Sequence, residues 1–176
     1  MTISFVIATL GNRETLKRTL ESIETWDGDE IVVVGGKPAV DDPRITYIPC
    51  APGGDWGHSE RNYVADFLTT DYVAHIDDDD WYVEGHRAVM ADAITQAPGR
   101  PSIFKMQYPS GMTLWSTQSL CLGNVGTPMM LMPNVREKFG TWGPFNGGDY
   151  HFLITCNYQA EAYNWRPDVI VKLGHD

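Results

Sequence analysis

The sequence has little positive charge, few cysteines and no long apolar run. Thirteen lysines and arginines stand against 23 aspartates and glutamates, a formal net charge of −10. A chain this acidic is no general binder of nucleic acid or of anionic membranes. A local basic groove is compatible with that balance, so a nucleic-acid acceptor is disfavoured but stays open. The three cysteines, Cys50, Cys121 and Cys156, are odd in number, widely spaced and without a C-x-x-C pair. They read as reduced, mostly buried thiols of a cytoplasmic protein. No stretch approaches the ~20 apolar residues of a membrane helix. Met1 leads into "TISFVIATL", too short and too soon followed by Gly-Asn-Arg for a signal peptide. The expectation is a soluble, cytoplasmic protein with no membrane partner. Internal repeats and low-complexity segments are also lacking. What is there is 176 residues with 43% hydrophobic content, enough for one domain with a sizeable core and hardly enough for two.

The first hundred residues alternate regularly. "ISFVIA" (3–8) is a continuous, β-branched apolar run, the mark of a strand buried on both faces. Asn12 is placed to cap a helix running to about Trp26, with Leu16, Leu20 and Ile23 as its apolar stripe. "EIVVVGG" (30–36) and "ITYIP" (45–49) read as strands. "HSERNYVADFL" (58–68) reads as a helix with Val64, Phe67 and Leu68 inward. "YVAHI" (72–76) is the next strand, and 83–96 is helical despite Gly85. Strand–helix alternation of this kind makes a mostly parallel sheet covered on both faces. After residue 100 the pattern loosens. Strands are expected at 102–108 and 128–132, a short helix at 134–140, a glycine-rich loop opening a helix within 143–159, and a closing strand in "DVIVKLGHD".

Four consecutive aspartates, Asp77 to Asp80, follow the strand "YVAHI". In open α/β sheets, ligands bind beyond the carboxyl ends of the strands. Adjacent carboxylates there repel unless a cation lies between them, and hard oxygen ligands select magnesium, manganese or calcium. A solvated acidic turn is the plainer alternative. Asp149 opens the helix "GDYHFL", where it fits a cap, a general base, or both. His175 is the penultimate residue. Chain ends commonly fray, but "VIVKL" just before it reads as a packed strand. Thr9 and Arg13 flank the first strand-to-helix turn, and Arg61 with Asn62 lies on the second helix. Arginine suits diphosphates or carboxylates through its planar fork, and a surface ion pair is as good an account of each. Trp56, Trp81, Trp115 and Trp142 lie in loop-like contexts, where aromatic faces either stack on sugars and bases or fill the core.

Together these pieces resemble a family 2 glycosyltransferase of the GT-A fold. The resemblance runs from "ISFVIATLGNRETLKRTLESI" through "EIVVVGG" and "GHSERNYVADFLTTDYVAHIDDDDWY" to "REKFGTWGPFNGGDYHF" and the final "KLGHD". It implies a single GT-A domain over 1–176, an α/β fold with a mostly parallel central sheet flanked by helices. Residues 1–100 would form the nucleotide-binding half and 101–176 the half for acceptor and donor sugar. It implies a metal-dependent, inverting transfer of a sugar from a nucleotide-diphosphate donor, a UDP-sugar by default, to an acceptor hydroxyl. Asp77 and Asp79 would be the D-x-D pair, with Asp79, Asp77 and His175 as ligands to Mn2+ or Mg2+. Asp77 or Asp78 would also help hold the ribose, and Asp149 would be the general base. Thr9, Arg13 and Arg61 match positions near the base and diphosphate.

The chain departs from that pattern in three respects. Gly35 or Gly36 stands where the family usually has a base-reading aspartate. Gly148 stands where a glutamate commonly precedes the catalytic acid. The chain is also short, and it is similar to a minimal catalytic domain. Two other readings are a nucleotidyltransferase, against which "ATLGNRETL" offers only one glycine, and a non-catalytic nucleotide-sugar or metal-binding module. The donor sugar, the acceptor and the oligomeric state are not encoded legibly.

Overall fold

A computed structural model describes residues 1–11 and 14–175. Among the described residues, nine strands join in one sheet. β1 (Ile3–Thr9), β2 (Glu30–Gly35), β3 (Ile45–Pro49) and β4 (Tyr72–Asp77) form its parallel half. β5 (Trp81–Tyr82), β6 (Ser102–Gln107), β7 (Thr113–Leu114), β8 (Met130–Pro133) and β9 (Asn164–Lys172) complete it. The order is β3-β2-β1-β4-β8-β6-β9-β5, with β7 beside β6. β8 runs antiparallel to both β4 and β6, and β6 and β9 are parallel. The helices are α1 (Thr15–Ser22), α2 (His58–Val64), α3 (His86–Gln96) and α4 (Gly148–Thr155).

The continuous apolar run of β1 is explained by its two buried faces. Side chains alternate along a strand. Ile3, Phe5 and Ile7 enter one core with Leu16 and Leu20 of α1 and Met90 and Ile94 of α3. Val6 and Ala8 enter a second core with Val32, Val34, Val64 and Leu68. The first core extends past β4 through Leu131, Phe104, Phe152 and Val171, so one apolar layer runs under both parts of the sheet.

Several elements differ from the sequence-based expectation, each for a local reason. α1 stops at Ser22, not near Trp26. Arg44, held by Asp42 at 2.7 Å, donates to the carbonyls of Leu20 and Ile23 at 2.9 and 3.0 Å, closing the helix C-terminus. α3 begins only at His86, because Gly85 sits in the left-handed region at φ 80 and cannot continue a right-handed helix. α2 tightens into a 3-10 turn at Ala65–Phe67. The altered rotation per residue swings Phe67 outward onto Tyr63, against the inward placement expected for it. Leu68 and Val64 do face inward. The closing strand starts at Asn164, earlier than expected, and its pairing with β6 is irregular around Arg166–Asp168. Pro167 has no N–H to offer the ladder there. Of the cysteines, all free, only Cys156 is buried, while Cys121 is exposed. Asn12, expected to cap α1, lies outside the described residues.

Candidate active site

The turn after β4 is built by the strand and closed by the residues that follow β9. The N–H of Asp80 donates to the carbonyl of Asp77 at 3.3 Å, and the Thr19 hydroxyl of α1 donates to the Asp80 carbonyl at 2.7 Å. Gly174 donates its N–H to Asp80 Oδ1 at 2.9 Å, and Leu173 donates to Gln107 at 2.9 Å. These bonds hold the end of β9 against the acid turn and bring His175 Nδ1 to 3.8 Å from Asp79 Oδ2. Asp79, Asp80 and His175 each present a ligand atom, all within 4.8 Å of one another.

That triad differs in one member from the ligand set expected from the sequence, Asp77, Asp79 and His175. Asp77 carries an ion pair with the buried guanidinium of Arg61, which also donates to the carbonyl of Trp56 at 2.8 Å. Asp80, not singled out by the sequence pattern, stands beside Asp79 and His175. Asp80 is 1% exposed. Burial, and then the negative charges of Asp77, Asp79 and Asp78, push its carboxyl up to about 8. Two carboxylates and one imidazole form a donor set suited to manganese or magnesium.

Thr9, at the end of β1, donates its hydroxyl to Asp78 Oδ2 at 2.5 Å and accepts the N–H of Gly11 at 3.0 Å. It therefore joins the first turn to the acid turn. Arg61 does not line the cleft. It lies beneath Gly57, where a Cβ would come within 2.9 Å of Nη1. Gly35 is likewise behind the wall, its carbonyl taken by the Tyr47 hydroxyl at 3.0 Å. Arg13 lies outside the described residues.

Asp149 sits in the first turn of α4, after Gly147 at φ 96. Its Oδ1 accepts the N–H of Tyr150 at 2.7 Å, while the capping position itself is Gly147, which has no side chain to cap with. Burial foremost, then the charge of Asp77, raises its carboxyl above the ordinary range. Gly148 has a steric reason to precede it: a Cβ there would lie 2.3 Å from the ring of His58. That ring stacks on Trp142, which stacks on Phe152 at 4.6 Å. Trp142 and Trp115 are core aromatics, whereas Trp56 is 67% exposed.

A cleft of about 900 Å³ connects these groups. Asp77 to Asp80 and His175 form one part of its wall, and Asp149 with Asn146 and Gly147 another. Ala8, Thr9, Trp56 and Glu60 close the side under β1 and β2, and Met106, Tyr108 and Thr127 the side toward β6. Of the loop 109–128, only its end at Gly126, Thr127 and Pro128 reaches the cleft. His58, Glu60 and Tyr108 are site residues that the sequence pattern does not mark. His58 and Glu60 lie just before the expected Arg61 on the same short helix, which is the one signal for them in the sequence.

No protein-family model matches the sequence, and no curated protein matches it. Solved structures do. The chain superposes on S. aureus TarS, a glycosyltransferase, with a TM-score of 0.73 at 13% identity, covering 98% of this chain and 36% of that one. Against TarS 1–349 in complex with UDP-GlcNAc the TM-score is 0.72 at 12% identity, covering 98% and 58%. Against the same fragment in complex with UDP it is 0.70 at 13%, covering 98% and 60%. The chain thus spans little more than a third of full TarS. The α/β architecture, its mostly parallel sheet and the match over nearly the whole chain identify the fold as GT-A, shared with the glycosyltransferase TarS.

Proposed function

We propose that this chain is a metal-dependent, inverting glycosyltransferase of the family 2 type, moving a sugar from a UDP-sugar to an acceptor hydroxyl. The observation that carries the reading is one cleft holding both the Asp79–Asp80–His175 triad and the half-buried carboxylate of Asp149. The two have complementary tasks. Asp149 takes the proton from the acceptor hydroxyl as its oxygen attacks the anomeric carbon and the bond from that carbon to the diphosphate oxygen breaks. A raised carboxyl pKa makes Asp149 a stronger base once ionised. Mn2+ or Mg2+ held by Asp79, Asp80 and His175 would neutralise the charge developing on the leaving diphosphate. Asp78, steadied by Thr9, lies beside that charge and is suited to the ribose hydroxyls. Arg61 aligns Asp77 and the Trp56 loop from beneath.

UDP is supported as the donor nucleotide by the complexes of TarS with UDP-GlcNAc and UDP. The decisive experiment compares donor binding and turnover. Calorimetry with UDP and Mn2+ should show binding that chelator and Asp79→Ala both abolish. Hydrolysis or transfer from a UDP-sugar should be lost in Asp149→Asn, while donor binding stays. Turnover retained in Asp149→Asn overturns its assignment as base. Binding with no turnover on any acceptor offered favours a non-catalytic nucleotide-sugar module.

A further inference from the structure

The wall of the cleft also holds a carboxylate with no part in the chemistry above. Glu60, on α2, is 3% exposed and lines the cleft. Its Oε1 accepts the N–H of Gly53 at 3.0 Å. Its Oε2 is buried and has no hydrogen-bond partner among the described residues. A carboxylate oxygen can only accept, so an orphaned one in a cleft calls for a donor from a ligand. The neighbouring carboxylate, Asp55, has no such vacancy: it accepts the N–H and hydroxyl of Ser59 at 3.1 and 2.6 Å. The stem of Glu60 passes Gly35, where a Cβ would lie 3.5 Å from its Cγ. Trp56, on the same wall, is largely exposed and held at φ 58, a backbone conformation rare outside glycine.

We propose that Glu60 is the base-reading residue of this cleft, its Oε2 accepting the ring N–H of a uracil or thymine whose face lies against Trp56. The proposal rests on reading the cleft as a nucleotide-sugar site. The choice of base follows from the acceptor. Uracil and thymine carry an N3–H. Cytosine and adenine present a ring nitrogen lone pair at the corresponding place, which a carboxylate repels. Guanine offers two adjacent donors suited to a forked carboxylate, but Oε1 is already engaged by Gly53. An aromatic face beside the acceptor adds stacking that any base could use, so selection falls to Glu60.

The test is calorimetry with Mn2+ and four probes: UDP, N3-methyl-UDP, CDP and GDP. The wild type should bind UDP on the order of ten- to a hundredfold tighter than the other three. Glu60→Gln keeps an acceptor for Gly53 and turns an amide N–H2 toward the base. It should lose the preference for UDP and bind CDP at least as well. Equal binding of UDP and N3-methyl-UDP by the wild type overturns the proposal, as does an undiminished UDP preference in Glu60→Gln or tighter binding of GDP. In those cases the nucleotide-sugar reading stands. Binding of no nucleotide by the folded wild type overturns both. N3-methyl-UDP is offered to the unaltered protein, so that comparison does not depend on whether a variant folds.

Discussion

Asp80 and Asp149 are the two cleft carboxyls whose ionisation the fold pushes upward. Asp80 ionises near pH 4 in an unfolded chain and at about 8 when folded. Below pH ~4 both states are protonated, and the fold's preference for the neutral acid is fully present. As pH rises from there through 8, the unfolded chain gives up its proton first and the metal-free protein loses stability. Metal-free wild type should therefore melt at a higher temperature at pH 5.5 than at pH 8.5, through a term on the order of a few kcal/mol. Asp80→Asn should flatten that dependence, which a pair of thermal melts with chelator would show. For Asp149 the direction is enough. Only the ionised form is a base, and burial delays ionisation. The rate should fall on acidification at a pH above the ordinary carboxylate range, and Asp149→Asn should lower it about 10²- to 10⁴-fold without loss of UDP binding.

Among the elements, two arginines contribute what helix propensity does not reveal. Arg44 closes α1 from a distant loop, and Arg87 of α3 is buried against Asp29 at 2.6 Å with its guanidinium over Trp26. Arg87→Leu leaves Asp29 buried without its partner and should cost about 3–5 kcal/mol in a denaturant titration. Arg44→Ala removes two bonds to helix carbonyls and should cost about 1–2 kcal/mol. The helix boundaries differ from the sequence-based expectation for related reasons. Periodicity marks the apolar stripe of α1, but the stop comes from a side chain 21 residues beyond Ile23. The start of α3 is legible in Gly85, a glycine whose left-handed φ interrupts an otherwise helical run. The two-residue β5 carries no pattern of its own and exists only because β9 pairs with it.

For the whole molecule, the question is how the segment after β9 becomes part of a site. β9 runs beside β6 and then β5, and its last hydrogen bonds deliver His175 to the acid turn. The side chain of His175 is 64% exposed, so His175→Ala should leave the metal-free melting temperature within about a degree. It should weaken Mn2+ binding by about tenfold or more. Saturating Mn2+ should raise wild-type stability, by ~2.7 kcal/mol at a hundred times its dissociation constant. That gain should shrink in His175→Ala, and a melt at two Mn2+ concentrations measures it.

The strand runs, the two-faced burial of β1 and the placing of acids after β4 are legible in the sequence, because each depends on neighbours in the chain and on a short period. So is the candidacy of Asp149 and His175, one opening a helix and the other following a packed strand. The membership of the triad is not. Four adjacent aspartates are equivalent in sequence, and only folding gives Asp77 to Arg61, Asp78 to Thr9, and Asp79 and Asp80 to the His175 end. Glu60 is invisible in the sequence for the same reason: whether a carboxylate oxygen is satisfied depends on a backbone N–H seven residues away and on a wall built from several strands. Local pattern determines which elements form. Long-range packing decides which of their charges meet, because solvent exposure and electrostatic pairing are properties of the assembled sheet.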